Sequence, residues 1–84
     1  MGTRQVIIGS QVRAARGALS ISAQDLAVLA GVSRRSIITI ETGEGIPTVS
    51  AATAVRVQVA LEARGIEFIS APDGSPGIVI RSQP

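Results

Sequence analysis

Apolar side chains along most of this chain recur at helical rather than strand spacing. Val6, Ile8, Val12 and Ala15 place a first helix over residues 4–17, with Arg13 pointing outward. Gly17 to Ser20 reads as a loop. Ser22 is a good N-cap, because its hydroxyl can take up a free backbone N–H at a helix start. The helix it opens spans residues 23–30, with Leu26, Ala27 and Ala30 inward, and Gly31 ends it by accepting the left-handed conformation without a Cβ penalty. Ser33 caps a third helix over residues 34–42, where Ile37 and Ile40 share one face. Gly43, Gly45 and Pro47 make the next break. Thr48 or Ser50 can cap a long fourth helix reaching about Arg64 and closed by Gly65.

After Gly65 the period changes. Ile66-Glu67-Phe68-Ile69 and Ile78-Val79-Ile80-Arg81 are short runs rich in β-branched residues, and residues 71–77 between them are dense in Pro, Gly, Asp and Ser. The expectation is a C-terminal β-hairpin. No internal repeat or low-complexity tract interrupts this order.

Two of these elements have more apolar surface than a small monomer needs. In helix four, Ala54, Val57 and Leu61 form an inner face, while Val55 and Val59 lie beside it where polar residues would be expected. Either the hairpin covers them or a second subunit does. A lone two-stranded hairpin is marginal in water, and Ile78-Val79-Ile80 has no flanking acid to deter edge pairing. A homodimer through residues 55–81 would satisfy both elements.

Composition removes most other chemistry. The 84 residues contain no Cys, His, Trp or Tyr, and Phe68 is the single aromatic. That excludes disulfides, zinc sites of Cys or His, Ser-His-Asp triads and aromatic stacking platforms for single strands. The carboxylates Asp25, Glu41, Glu44, Glu62, Glu67 and Asp73 are scattered, and Gly43-Glu44-Gly45 is not followed by a phosphate-binding Lys-Ser/Thr pair. No enzymatic activity and no cofactor are expected. No apolar run approaches the roughly 20 residues of a membrane span, and Val6-Ile7-Ile8 is too short for a signal peptide. The expectation is a soluble cytoplasmic protein with no membrane partner. All eight basic residues are arginines and the net charge is +2. Residues 1–40 hold five arginines against Asp25, a net +4, and residues 41–84 hold three against five acids, a net −2. A basic front half suits a polyanionic partner.

The stretch from Ala23 to Thr42 is the most informative. Two short helices flank Ala30-Gly31-Val32-Ser33, a tight turn with a glycine and then a capping serine, which sets the second helix across the first. Such a crossing needs a small residue at closest approach, Ala27, and apolar anchors, here Leu26, Val32, Ile37 and Ile40. With these residues in place the chain resembles the phage-repressor (Xre-like) helix-turn-helix family. The resemblance runs through Ile21-Ser22, Leu26-Ala27, Ala30 to Arg34, Ser36-Ile37, Ile40-Glu41, Gly43 and Pro47. Upstream, Val12 to Arg16 looks like that family's first helix, and the likeness covers about residues 8–64.

The resemblance implies a mainly α fold, a four-helix phage-repressor-like helix-turn-helix bundle over residues 1–64. Residues 65–84 are expected from their own strand and turn pattern to form a C-terminal β-hairpin, a dimerisation extension, outside what the resemblance covers. The resemblance also implies a DNA-binding regulator whose second motif helix enters the major groove N-terminus first. Ser33, Arg34, Arg35, Ser36, Ile38, Thr39 and Thr42 would then face double-stranded DNA. An arginine can bind guanine O6 and N7 together, and Thr39 or Ile38 could meet a thymine methyl. Ser22 and Gln24, at the start of the preceding helix, would face phosphate. Family likeness further implies that Arg16 pairs with Glu41, tying helix one to helix three, and it leaves Arg13 between phosphate contact and plain exposure.

Two departures weaken the likeness as a DNA binder. Ala23 stands where the family usually has a phosphate-contacting glutamine, and the position after Pro47 lacks the basic residues that many relatives carry. The first expectation is a repressor acting as a homodimer on a palindromic operator. The alternative is a protein-interaction module on the same scaffold, with a toxin or another protein as partner and weak or no DNA binding.

Overall fold

A computed structural model describes residues 7–43 and 49–81. Its elements are α1 (Gly9–Leu19), α2 (Ala23–Ala30), α3 (Arg34–Thr42), α4 (Ala51–Glu62), β1 (Ile66–Ser70) and β2 (Pro76–Ile80). The four helices and the antiparallel hairpin are those the sequence pattern predicts, and α2 and α3 have the expected bounds. The roles read for Arg4, Val6, Glu44, Gly45, Pro47 and Thr48 lie outside the described residues.

The first helix differs from expectation at both ends. It starts at Gly9, after Ile8, whose backbone is extended and whose N–H is taken by Gln11 Oε1 at 3.0 Å. It also runs through Gly17 to Leu19 and closes on Ser20 in the left-handed region, φ 57°. Glycine at 17 therefore does not break the helix. Smaller shifts occur downstream. Ser50 caps α4, its Oγ accepting the Thr53 N–H at 3.1 Å. That helix ends at Glu62, and Ala63 to Gly65 form the turn into β1. Pro76 and Gly77, expected in the turn, belong to β2, whereas Arg81 lies just past it.

The core gathers Ile7 and one stripe from each helix and from β1: Val12 and Ala15, Leu26 and Ala27, Ile37 and Ile40, Val57 and Leu61, then Ile66 and Phe68, with Ile78 of β2 packed half-buried against them. Fully burying an aliphatic side chain of this size stabilises by about 1.5–3 kcal/mol, so these few residues supply most of the drive to fold. Ala54 and Ala30 are only half-buried at the margin of that core. Because Ile66 and Phe68 sit in the same cluster as the helices, the hairpin completes the core rather than standing apart from it.

α2 packs on α3, and two further groupings surround them. α1 lies against α3 and β2, while α4 lies against α2 and β1. The α1–β2 seam is polar at its centre. Gln11 is only 3% exposed. Its Nε2 donates to the Gly77 carbonyl at 2.8 Å and, more weakly, to the Ile69 carbonyl at 3.5 Å. With Oε1 on the Ile8 N–H, this buried amide has partners at both ends, so its burial costs little. The α1–α3 seam is closer still. A Cβ on Gly9 would lie 2.3 Å from the Ile40 carbonyl oxygen and 3.2 Å from the Glu41 Cα. Only glycine lets the two backbones approach this far.

These contacts set opposite outcomes for two glycines of one helix. Gly9→Ala forces α1 off α3 and is expected to cost about 1–3 kcal/mol, the range for overpacking a tight contact. A Cβ at Gly17 meets nothing within 4 Å, so Gly17→Ala should stabilise by up to about 1 kcal/mol through helix propensity. Thermal unfolding followed by circular dichroism should show the midpoint falling for the first variant and rising for the second.

Candidate nucleic-acid interface

The α2–turn–α3 unit is built by its caps. Ser22 Oγ accepts the Asp25 N–H at 2.9 Å, and Asp25 Oδ2 accepts the Ser22 N–H at 3.1 Å. This reciprocal capping box closes the start of α2. Gly31, at φ 69°, ends it, and the Val32 N–H turns back to the Ala27 carbonyl at 3.0 Å. Ser33 then caps α3, its Oγ accepting the Ser36 N–H at 3.1 Å and lying 3.0 Å from Ser36 Oγ. Leu26, Ala27, Ile37 and Ile40 fill the angle between the two helices, each at most 2% exposed. The inward residues fix which side of α3 faces out.

That outward side begins with arginine. Arg34 and Arg35 are the first two residues of α3 and both are exposed. Neither guanidinium donates a hydrogen bond to another described residue or forms an ion pair with one. Ile38 and Thr39, a turn further on, are half-buried beside them. Two guanidinium groups at the open end of a helix present a dense array of N–H donors to a planar acceptor or a phosphate.

Other members of the predicted set are partly committed within the protein. Thr42 Oγ1 donates to the Ile38 carbonyl at 2.9 Å, and Ser33 and Ser36 bind each other and the helix start. Ser22 is bound to Asp25 on both its N–H and its hydroxyl. Gln24 is exposed and carries no partner among the described residues. The start of α2 differs from an open anion site in one further respect. The Asp25 carboxyl is held below its ordinary pKa, first by the backbone N–H of Ser22 and then by its hydroxyl. It is therefore ionised near neutral pH and already occupies the positive end of α2. This leaves the amides of Ala23 and Gln24 as the ones outside the capping box for a phosphate to meet.

The far end of α3 is anchored instead of presented. Glu41 is buried at 6% exposure and forms a two-pronged pair with Arg16, Nε to Oε2 at 2.7 Å and Nη2 to Oε1 at 2.8 Å. This is the pairing expected from the sequence. Arg16 Nη1 also donates to the Ile21 carbonyl at 3.1 Å, so the same side chain holds the α1–α2 connection. Hydrogen bonding to Glu41 raises the Arg16 pKa above its ordinary value, against the opposing effect of burial. Arg13 is exposed, one of the two roles considered for it, and makes a contact besides. Its Nη1 donates to the Glu41 carbonyl and so caps the last turn of α3, where a cation also complements the helix dipole. Sequence reasoning missed this contact, and it missed Gln11 and Gly9, because each depends on a partner far along the chain.

Removal of Arg16 would leave a buried carboxylate without its partner. Arg16→Met is expected to destabilise by roughly 3 kcal/mol, the scale for breaking one side of a buried pair. Arg13→Ala should cost under about 1 kcal/mol, as a partly exposed helix-end charge. Urea denaturation of the two variants measures the difference directly.

A family model described as a helix-turn-helix domain matches residues 7–63, well over half of the chain. A search of curated proteins gave no match. No helix among the described residues is long and apolar enough to cross a membrane. From the matched span, and from the capped α2–turn–α3 unit inside it, the chain belongs to the helix-turn-helix domain family.

Proposed function

We propose that the protein is a sequence-specific transcriptional regulator that binds double-stranded DNA. On this reading it is a repressor of the phage-repressor (Xre-like) kind, acting as a homodimer on a palindromic operator. The observation that carries the reading is the exposed Arg34 and Arg35 at the start of α3, neither of them paired among the described residues. In helix-turn-helix docking, that end of the second helix approaches the base edges. An arginine fork there discriminates guanine by about 1–3 kcal/mol. Thr39 and Ile38 offer apolar contact to a thymine methyl, while Gln24 and Ser33 lie where phosphates pass. Ser22, Ser36 and Thr42 contribute by holding the helix ends and the groove-facing surface. Two such helices related by a two-fold axis would read half-sites about one helical turn apart and occlude a promoter between them.

A second reading is a protein-interaction module on the same scaffold. It is favoured by an open apolar groove in which Leu29 of α2 faces Val55 and Val59 of α4 and Ala63 just past its end. Val59 is 55% exposed there, so the hairpin does not cover it. The fixed charge of Asp25 at the start of α2 points the same way.

Titration of duplex DNA from upstream of the coding sequence into the protein, at several salt concentrations, separates the two. A DNA regulator loses affinity steeply as salt rises, through counterion release. Arg34→Ala and Arg35→Ala are each expected to weaken specific binding by about 5- to 150-fold and to relax base preference at one position. Both variants should keep the wild-type circular dichroism spectrum. Variants that bind like wild type would assign base reading to another surface. Salt-insensitive or absent DNA binding by the intact protein would favour the interaction module.

A further inference from the structure

The hairpin ends in a strand whose outer edge is open. Backbone bonds Arg81 N–H to Gly65 carbonyl, 2.7 Å, and Ala71 N–H to Ser75 carbonyl, 2.7 Å, set the phase of the β1–β2 ladder. In this register Glu67 faces Val79 and Ile69 faces Gly77 as hydrogen-bonded pairs. Ile66–Ile80 and Phe68–Ile78 are therefore the non-bonded pairs, and the N–H and C=O groups of Ile78 and Ile80 point away from β1. None of these groups has a partner among the described residues.

The two edges of the hairpin are not equivalent. On β1 the outward-directed residues Ile66 and Phe68 are 2% and 5% exposed, so that edge is already covered. On β2, α1 approaches at Gly77, through Gln11, and leaves the other end uncovered, where Ile80 is 61% exposed. The strand Pro76-Gly77-Ile78-Val79-Ile80 carries no charge of the kind that normally protects an edge.

We infer that β2 is the dimer contact, pairing antiparallel with β2 of a second copy about a two-fold axis at Val79. Ile78 then faces the partner's Ile80, and Ile80 faces the partner's Ile78. Each of these pairs has its N–H and C=O groups directed at the other, so both become hydrogen-bonded pairs, with Val79 opposite the partner's Val79 on the axis. This register is the one in which the free groups of Ile78 and Ile80 satisfy each other. Pro76 has no N–H to extend the ladder, which confines pairing to a short segment and closes the assembly as a dimer. The exposed side chain of Ile80 gains an apolar neighbour in the partner's Ile78. The inference deepens the two-fold dimer of the proposed function, on which it rests, and uses no residue of α3, where Arg34 and Arg35 lie.

The test reads self-association without DNA, so its failure and the failure of DNA recognition are distinguishable. Sedimentation equilibrium of the wild-type chain should give a monomer–dimer transition. Hydrogen exchange followed by NMR should show the Ile78 and Ile80 amides slowing as protein concentration rises. The Val79 amide, bonded inside the hairpin, should stay protected at every concentration. Ile80→Pro removes an outward N–H without touching the β1–β2 ladder, and Ile80→Lys places a charge on the edge. Each should raise the dimer dissociation constant at least about tenfold, a shift of 1.4 kcal/mol, with the fold retained. A chain that stays monomeric up to its solubility limit overturns the proposal. So does a dimer that survives both substitutions with the Ile78 and Ile80 amides exchanging freely, which would place the contact elsewhere, for instance at the α2–α4 groove.

Discussion

The buried pair between Arg16 and Glu41 is the constraint on which the arrangement of this protein depends. A carboxylate at 6% exposure has to be matched, and the match comes from a different helix in a two-pronged geometry that leaves little rotational freedom. It fixes the last turn of α3 against α1. Arg13 closes the same helix end from the backbone side, and Gly9 allows the approach by having no Cβ. Arg34 and Arg35 lie at the opposite end of α3, about 10 Å away at 1.5 Å per residue. One end of the helix is locked by charge inside the protein, and the other presents charge to the outside. In the proposed function, directional contact by the arginines depends on the lock, since a guanidinium can read a base edge only if its helix holds a defined tilt.

A second constraint works at the other side of α1. Gln11 carries two protein carbonyls on its amide nitrogen and a backbone N–H on its oxygen, and so joins the hairpin to the helical body. α1 is thus a shared wall, polar toward α3 through Arg13 and Arg16, polar toward β2 through Gln11, and apolar between them through Val12 and Ala15. The absence of any aromatic side chain except Phe68 makes such bonds important. An aliphatic core specifies volume well and register poorly, and directional groups supply the register.

Much of this was legible in the sequence, for physical reasons that differ from element to element. Ser22, Gly31, Ser33 and Ser50 act through neighbours three or four residues away, so their roles follow from local spacing. The inward set Leu26, Ala27, Ile37 and Ile40 follows from helical period. The Arg16–Glu41 pair was expected only from family resemblance, since no local rule connects residues 25 apart. Gly17 misled because glycine marks many helix ends, whereas here the left-handed turn falls on Ser20. Gly9 and Arg13 stayed hidden because each is explained by tertiary proximity alone, and Gln11 because its main partner, the Gly77 carbonyl, lies 66 residues along the chain. Within the candidate site, the exposed arginines were foreseen. That Ser22 is bound to an ionised Asp25 was not, although the Ser-x-x-Asp spacing carries the signal of a reciprocal cap.

The central claim is that the N-terminal half of α3 is the surface that meets DNA. Amide chemical-shift mapping during titration with a mixed-sequence duplex at low salt tests it most directly. The account predicts the largest shifts at Ser33 to Thr39, smaller ones at Ala23 and Gln24, and a return toward the free positions as salt is raised. Shifts confined to the α2–α4 groove or to the hairpin, with residues 33–39 unmoved, would contradict it.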